Sequence, residues 1–187
     1  MMPTLGVEMS STIILIGPIG VGKTTQAKLL SHHLSLPRCS YDEVKGKCWK
    51  EQGLTKGDAE EIEREKGTYA MLSYMNEFKA ETVASIVADH PGYVIDFGGG
   101  AQTFDEPHQV AKVVDAFEAV NNVFLLLPSP NVEESINALP GLKENLAINA
   151  YLIIHPTNAI YAKKTVFTLG KSSEQVMDEI IENLQST

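Results

Sequence analysis

The chain has 187 residues, of which 43% are apolar and 21% are charged, proportions typical of a folded domain. Lysine and arginine total 15 while aspartate and glutamate total 24, which gives a formal net charge of −9. This charge argues against a nucleic acid or an anionic membrane as a partner, because both would repel the chain. The first ten residues lack a signal-peptide pattern, and no apolar run is long enough to span a membrane. We therefore expect a cytoplasmic protein with one domain over residues 1–187.

The first half of the chain alternates between strand-like and helix-like patterns. A continuous apolar run at residues 12–16 predicts a strand buried on both faces. The apolar residues that follow the next glycines recur at helical spacing and predict a helix. A weaker strand is predicted at 36–41. The helical pattern from about 58 to 89 is expected to be split or bent at Gly67.

The second half continues the same alternation. Ser172 and Gln175 form a capping box, which predicts the start of a C-terminal helix. Strand followed by helix throughout predicts a parallel sheet with helices on both faces and functional loops at the carboxyl ends of its strands. The predicted elements before the capping box are a strand at 93–97, a helix around 110–120, a strand at 123–127, short helices and loops over 131–160, and a strand at 164–168.

Residues 17–24 read GPIGVGKT and match the phosphate-loop pattern GxxxxGK[ST] at every fixed position. Glycines let backbone N–H groups turn around a phosphate, and the following helix points its positive end there. Lys23 is expected to reach the β- and γ-phosphate oxygens, and the Thr24 hydroxyl to bind Mg²⁺. The alternative is a glycine-rich turn with an exposed lysine. The residues predicted to bind the nucleotide are Gly17, Gly20, Val21, Gly22, Lys23, Thr24 and Thr25.

A carboxylate and three glycines follow the strand predicted at 93–97. Asp96 lies at its carboxyl end, where it suits a metal-binding role, directly or through water. The alternative is an aspartate that caps a helix or closes a turn. Gly98, Gly99 and Gly100 expose backbone N–H groups and permit close approach of a small anionic ligand. A merely flexible turn is the other interpretation.

With these residues in hand, the sequence resembles the shikimate kinase family of small phosphate-loop kinases. The resemblance implies a three-layer α/β/α P-loop NTPase fold with a five-stranded parallel sheet of order 2-3-1-4-5, a lid placed at about 137–149, and ATP and Mg²⁺ as cofactors. It also implies that Asp42 holds the acceptor hydroxyl and that Gly98, Gly99 and Gly100 lie under the substrate. The segments that carry the likeness are IILIGPIGVGKTTQAKLL, LPRCSYDEV, YVIDFGGG and VFTLGKSSEQVMDEII.

The sequence departs from the family pattern in the positions of its charged residues. Ser40 stands where the family has an aspartate, and Asp96 stands where it has a small residue, so the metal carboxylate is expected to have moved between strands. The arginine for the substrate carboxylate would fall near Ala70, and no arginine follows Arg64. Lys143 is the only cation in the lid-like segment. Because lysine does not replace the bidentate grip of arginine, shikimate is not the expected acceptor.

The function predicted from these residues is transfer of the γ-phosphoryl of ATP to a hydroxyl of a small metabolite by a monomer or homodimer. Lys23 would offset developing charge, Thr24 and Asp96 would organise Mg²⁺, and Asp42 would act as the base. The missing lid arginines favour an alternative, a nucleotide-binding module or slow ATPase without an acceptor. A nucleoside or nucleotide kinase of similar fold is a third possibility, but phosphate-bearing acceptors usually need arginines.

Three residues near the C-terminal end of the 131–160 region have two interpretations each. His155 could line the acceptor pocket, or it could be a helix-terminal histidine favoured by the helix dipole. Thr157 and Asn158 could contact adenine, or they could be turn residues.

Overall fold

The computed structural model describes residues 12–139 and 146–184. In this part of the chain five strands form one sheet, with every neighbouring pair parallel and the order β2-β3-β1-β4-β5. With helices on both faces of the sheet, this confirms the predicted three-layer fold and its strand order of 2-3-1-4-5. The strands are β1 Ile13–Ile16, β2 Arg38–Ser40, β3 Val94–Asp96, β4 Asn122–Leu127 and β5 Lys164–Phe167.

The helices follow the predicted pattern with some shifts at their ends. Gly67 separates α3 from α4, as predicted. The strand expected at 36–41 ends at Ser40, because Tyr41 already begins a helix. No helix among the described residues is both long and apolar enough to cross a membrane. The helices are α1 Lys23–Leu34, α2 Tyr41–Glu51, α3 Lys56–Lys66, α4 Thr68–Asp89, α5 Pro107–Glu118, α6 Val132–Ala138, α7 Leu146–Ile154, α8 Thr157–Tyr161 and α9 Ser173–Glu182.

The central strand β1 is buried on both faces, as its continuous apolar run predicts. Ile14 and Ile16 pack on one face in a cluster with residues of α4 and α5. Ile13 and Leu15 pack on the other face with residues of α1 and α9. None of these four side chains exposes more than 1% of its surface. The two apolar layers hold the sheet in place beneath the loops at its carboxyl edge.

The register of the central strands brings the sequence motifs together at that edge. Leu15 of β1 lies opposite Asp96 of β3, and Asp96 lies opposite Ser40 of β2. The phosphate-loop motif begins two residues after Leu15, and Asp42 follows two residues after Ser40. Since parallel strands end at the same edge, the residues that follow β1, β2 and β3 share one region of the surface.

Only part of the lid-like segment predicted at 137–149 belongs to the described residues. Ala138 ends α6, and residues 146–149 form the start of α7. Residues 140–145 lie outside the described part of the chain, and the prediction for Lys143 falls among them.

The capping box at the start of α9 forms as predicted and provides a test of the local structure. The Ser172 side chain accepts a hydrogen bond from the Gln175 N–H, and the Gln175 side chain accepts one from the Ser172 N–H. We expect Ser172→Ala to lower the free energy of unfolding by about 1 kcal/mol, measured by urea denaturation. Ser173→Ala, one residue further on, is the matched control and should have a smaller effect. Equal losses for the two variants would contradict the role of the cap.

Candidate active site

The loop between β1 and α1 has the backbone shape that a phosphate cradle requires. Gly17 has a φ of 140°, and a Cβ at this position would overlap the carbonyl oxygen of Leu126 on β4. Gly22 is the N-cap of α1 and has no side chain to satisfy the first amide groups of the helix. These N–H groups and the positive end of the helix dipole therefore remain available to an anion.

The Lys23 amine lies inside this loop. The side chain is only 6% exposed, and its Nζ donates to the carbonyl oxygens of Gly17 at 2.9 Å and Pro18 at 2.7 Å. Burial lowers the pKa of Lys23 to about 8, although the negative charges of Asp96 and Asp42 oppose this shift. The amine is therefore a buried cation held by neutral carbonyl groups, and an anionic phosphate would stabilise its charge.

A cavity of about 310 Å³ lies over the loop and brings most of the predicted nucleotide and acceptor residues together. Gly17 lies beneath the loop against β4, and the Val21 side chain belongs to the apolar core. Asp96 and Gly100 also lie outside the lining. The residues that line this cavity, called the loop cavity below, are Ile19, Gly20, Gly22, Lys23, Thr24, Thr25, Asp42, Gly98 and Gly99.

The Asp42 carboxylate is placed by the first turn of α2 and by Gly98. It forms an ion pair with Lys45, one helical turn further on, with 2.6 Å between Nζ and Oδ1. A Cβ on Gly98 would lie only 2.9 Å from the Asp42 Cγ, so the carboxylate rests directly against the backbone of the turn after β3. Asp42 and the glycine turn therefore form one wall of the loop cavity, across from the Lys23 amine.

Asp96 lies next to Ser40, the position at which the family resemblance expects an aspartate. The two residues lie opposite each other on β2 and β3, so a carboxylate moved from one strand to the next stays in the same row of the sheet. Asp96 is 2% exposed, and its Oδ2 lies 3.4 Å from the Nη1 of the Arg38 guanidinium group. The Nη2 of the same group lies 2.7 Å from the Glu43 Oε1. Arg38 thus offsets part of the charge of this buried carboxylate.

The predicted oxygen donors fit Mg²⁺ that arrives with a nucleotide. Thr24 lines the loop cavity, and Asp96, which lies outside its lining, is near enough to Lys23 to raise the pKa of that amine. Among the described residues no group of three or more histidine, cysteine, aspartate or glutamate side chains could hold a metal ion. Mg²⁺ usually takes one or two protein oxygens and completes its shell with phosphate oxygens and water. Two oxygen donors beside a phosphate loop match that preference.

Asn149 is a site residue that sequence reasoning missed. Its side chain is 1% exposed, and its Oδ1 accepts a hydrogen bond of 3.0 Å from the backbone N–H of Ile19 in the phosphate loop. Its Nδ2 is also buried and has no hydrogen-bond partner among the described residues. The contact joins residues 130 positions apart, so no local pattern signals it. Through Asn149, helix α7 holds the tip of the phosphate loop.

A second cavity of about 430 Å³ adjoins the loop cavity and shares Gly99 with it. Its walls come from α4, from the turn after β3 and from α7. Charged residues in this wall are Lys79, Asp105 and Glu106, which carry no motif and were not predicted from sequence. We call this space the side cavity. Its lining residues are Tyr69, Leu72, Ser73, Asn76, Lys79, Gly99, Gly100, Thr103, Asp105, Glu106, Ile148, Tyr151 and Leu152.

His155, Thr157 and Asn158 are engaged in local contacts between α7 and α8. The Asn158 Nδ2 donates to the Leu152 carbonyl at 2.6 Å, which closes the end of α7. The His155 Nδ1 and the Thr157 Oγ1 are 2.6 Å apart, and both side chains are buried. None of the three lines either of the two cavities, although the His155 Nε2 lies 3.2 Å from the Oδ1 of Asp105, which lines the side cavity.

The sheet order and the glycine-lined loop define the class: the chain has the fold of the P-loop small-molecule kinases. A shikimate kinase from Acinetobacter baumannii, solved with shikimate, is 18% identical over 91% of this chain and 90% of that one, with a TM-score of 0.58. A shikimate kinase from Aquifex aeolicus is 22% identical over 92% and 95%, with a TM-score of 0.53. A gluconokinase from Sinorhizobium meliloti is 12% identical over 95% and 93%, with a TM-score of 0.54. No family model and no curated protein sequence matches the chain.

The close approach of Gly99 to the phosphate loop yields a first test of the site. A Cβ on Gly99 would lie 3.1 Å from the Ile19 nitrogen and 3.2 Å from its Cα, so the loop backbone would have to move. We expect Gly99→Ala to weaken binding of a non-hydrolysable ATP analogue at least about tenfold, or 1.4 kcal/mol, in isothermal titration calorimetry. Gly46→Ala is the matched control, because a Cβ there meets no atom within 4 Å. Unchanged affinity for Gly99→Ala would show that the loop cavity does not bind the nucleotide.

The buried amine of Lys23 yields a second test, the pH dependence of nucleotide binding. Its pKa is about 8 in the free protein, and a bound polyphosphate would raise it. We therefore expect affinity for the ATP analogue to fall as the pH rises above about 8, by up to about tenfold per pH unit, with proton uptake on binding. Calorimetry in two buffers of different ionisation enthalpy measures this uptake. Lys23→Met should abolish it, and Lys28→Met, which removes an exposed lysine of α1, should not.

Proposed function

We propose that this protein is an ATP-dependent phosphotransferase that moves the γ-phosphoryl to a hydroxyl of a small metabolite. The observation that carries the proposal is the composition of the loop cavity. One wall is the phosphate loop with Lys23, and the other is Asp42 with the glycine turn of Gly98 and Gly99. A nucleotide alone needs only the first wall. A carboxylate fixed opposite the phosphate loop is what transfer to a hydroxyl requires.

Each residue has a defined role in this proposal. The loop of residues 17–25 binds the triphosphate through backbone N–H groups such as those of Gly22, Lys23 and Thr24, and Lys23 offsets the charge that develops on the transferring group. Thr24 and Asp96 would hold Mg²⁺, which neutralises phosphate charge when it is bound. Asp42 accepts the hydroxyl proton as the hydroxyl oxygen bonds to the γ-phosphorus. The bond from that phosphorus to the β–γ bridging oxygen breaks, and ADP leaves with the electron pair.

The acceptor that we propose is not shikimate. The resemblance places the arginine for the substrate carboxylate near position 70, which is Ala70 in this chain, and no arginine follows Arg64. The structural neighbours include a shikimate kinase solved with shikimate and a gluconokinase, so kinases for different hydroxylated acids share this fold. We place the whole activity in one domain over residues 1–187. The net charge of −9 supports a small-molecule acceptor over a nucleic acid.

The test is whether ADP release depends on an acceptor and on Asp42. The protein is incubated with ATP, Mg²⁺ and pools of hydroxylated metabolites, and ADP is measured together with transfer of labelled phosphate. We expect one pool to stimulate ADP release and to become labelled. With that pool, Asp42→Asn should lower kcat by at least about 100-fold, because general-base catalysis commonly contributes 10²–10⁴-fold.

Asp115→Asn is the matched control, because Asp115 lies exposed on α5 and lines neither the loop cavity nor the side cavity. Its turnover should equal that of the unaltered protein. ADP release that is the same with and without every pool would instead support a slow ATPase or a nucleotide-binding module. Full turnover by Asp42→Asn would remove Asp42 from the mechanism.

A further inference from the structure

The side cavity has the position of an acceptor site. It shares Gly99 with the loop cavity, so a molecule bound there would lie next to the phosphate loop and Asp42. Its volume of about 430 Å³ suits a small metabolite. Apolar side chains such as Leu72 and Leu152 form much of its wall, and a few polar groups converge on it. The identity of those polar groups indicates what kind of molecule fits.

Lys79 contributes a cation that is held in the wall without an anionic partner. Its Nζ donates to the Asn76 Oδ1 at 2.9 Å and lies 5.3 Å from the centre of the Phe104 ring. No carboxylate of the described residues lies within ion-pair distance, 4.0 Å, of this nitrogen. Burial lowers the pKa of Lys79 to about 8, Lys45 lowers it further, and Asp105 opposes the shift. At neutral pH the amine is charged and has hydrogens free for a ligand.

Asp105 contributes an anion at the mouth of the cavity, where its side chain is 75% exposed and contacts two other side chains. The Tyr151 hydroxyl lies 3.0 Å from its Oδ2, and the His155 Nε2 lies 3.2 Å from its Oδ1. The His155 Nδ1 lies 2.6 Å from the Thr157 Oγ1 and 3.3 Å from the Thr157 backbone nitrogen, so these contacts hold the ring with its Nε2 toward Asp105. Burial raises the pKa of Tyr151 to about 12, so its hydroxyl keeps the proton that it donates. The carboxylate is thus oriented before any ligand arrives.

Lys79 and Asp105 therefore line one cavity, together with Glu106, and Lys79 and Asp105 do not pair with each other. Each is held by its own neighbours, while Asp105 is near enough to raise the pKa of Lys79. A gap of this kind between a fixed cation and a fixed anion is complementary to a ligand that carries both charges. A hydroxy acid without an amine would satisfy Lys79 but would place its carboxylate near Asp105 and Glu106. An amino alcohol would satisfy Asp105 and leave Lys79 unpaired.

We propose that the side cavity binds the phosphoryl acceptor and that this acceptor is a small hydroxylated zwitterion of the amino-acid type. Its carboxylate is bound by Lys79, its ammonium group by Asp105, and its hydroxyl is directed past Gly99 toward Asp42. This inference rests on the proposed kinase function and adds the class of the substrate. It also makes His155 and Tyr151 positioning residues, because they act through Asp105.

The test compares three classes of probe by calorimetry, with Mg²⁺ and a non-hydrolysable ATP analogue present. The zwitterions are L-serine, L-homoserine and L-threonine, the hydroxy acids are shikimate and gluconate, and the amino alcohol is ethanolamine. We expect one of the zwitterions to bind at least about tenfold more tightly than the hydroxy acids and ethanolamine, because only a zwitterion pairs with both charges.

Two variants separate the contributions of the two charges. Lys79→Gln should weaken binding of the zwitterion at least about tenfold and leave ethanolamine unaffected. Asp105→Asn should weaken the zwitterion to a similar extent and improve binding of the hydroxy acids. A merely structural role of either residue would weaken all classes alike. The matched controls are Lys112→Gln and Asp115→Asn on α5, which lie outside the side cavity and should bind every probe as the unaltered protein does.

Three outcomes would overturn the inference and leave the proposed function standing. They are hydroxy acids that bind as tightly as the zwitterions, affinities that neither variant changes, and no binding by any of the three zwitterions. Failure of the proposed function is observed separately, as ADP release that no metabolite stimulates. Phosphorylation of a hydroxy acid by both the unaltered protein and Asp105→Asn at equal rates would assign a kinase function but a different acceptor class.

Discussion

The packing of the glycine turn after β3 against the phosphate loop is the contact on which the rest of the site depends. Gly99 lies so close to Ile19 that a methyl group would strike the loop backbone, and Gly98 lies equally close to Asp42. A Cβ on Gly99 would press on the Ile19 backbone, and a Cβ on Gly98 would displace the Asp42 carboxylate, so a larger residue at either position would disturb one of the two walls. The absence of two side chains therefore brings the proposed base within reach of the phosphate loop, and it also connects the loop cavity to the side cavity.

Among the described residues, the Lys23 amine contacts carbonyl oxygens and forms no ion pair with a carboxylate. Lys23 is buried against carbonyl groups, and the nearby carboxylates Asp42 and Asp96 are engaged with Lys45 and Arg38. A buried cation without a direct ion pair costs free energy of folding, and a bound phosphate would offset this cost. The lowered pKa of Lys23 is the same cost expressed as a proton affinity.

Sequence patterns predicted the features that depend on local chemistry, and missed those that depend on distant contacts. The phosphate loop, the split at Gly67 and the capping box at Ser172 each follow from a few adjacent residues, and each is present in the structure. The strand order was expected from the family resemblance and is confirmed. The apolar pattern of α4 does not predict that Lys79 lines a cavity, and the apolar pattern of α7 does not predict that Asn149 contacts the phosphate loop. Their roles depend on how α4 and α7 pack against the loops.

The chain departs from the family pattern in the position of one carboxylate and of one cation, and the two departures differ in size. Asp96 lies beside Ser40 on the neighbouring strand, so this chain has a carboxylate next to the position where the family pattern expects one. The cation of the acceptor site is not conserved in this way. Ala70 and Lys79 are nine residues apart on α4, about 13 Å along the helix axis. In the proposed acceptor site, a substrate held by Lys79 would differ in size or in charge from one held near position 70, because the phosphate loop and Asp42 keep the places that the family pattern gives them.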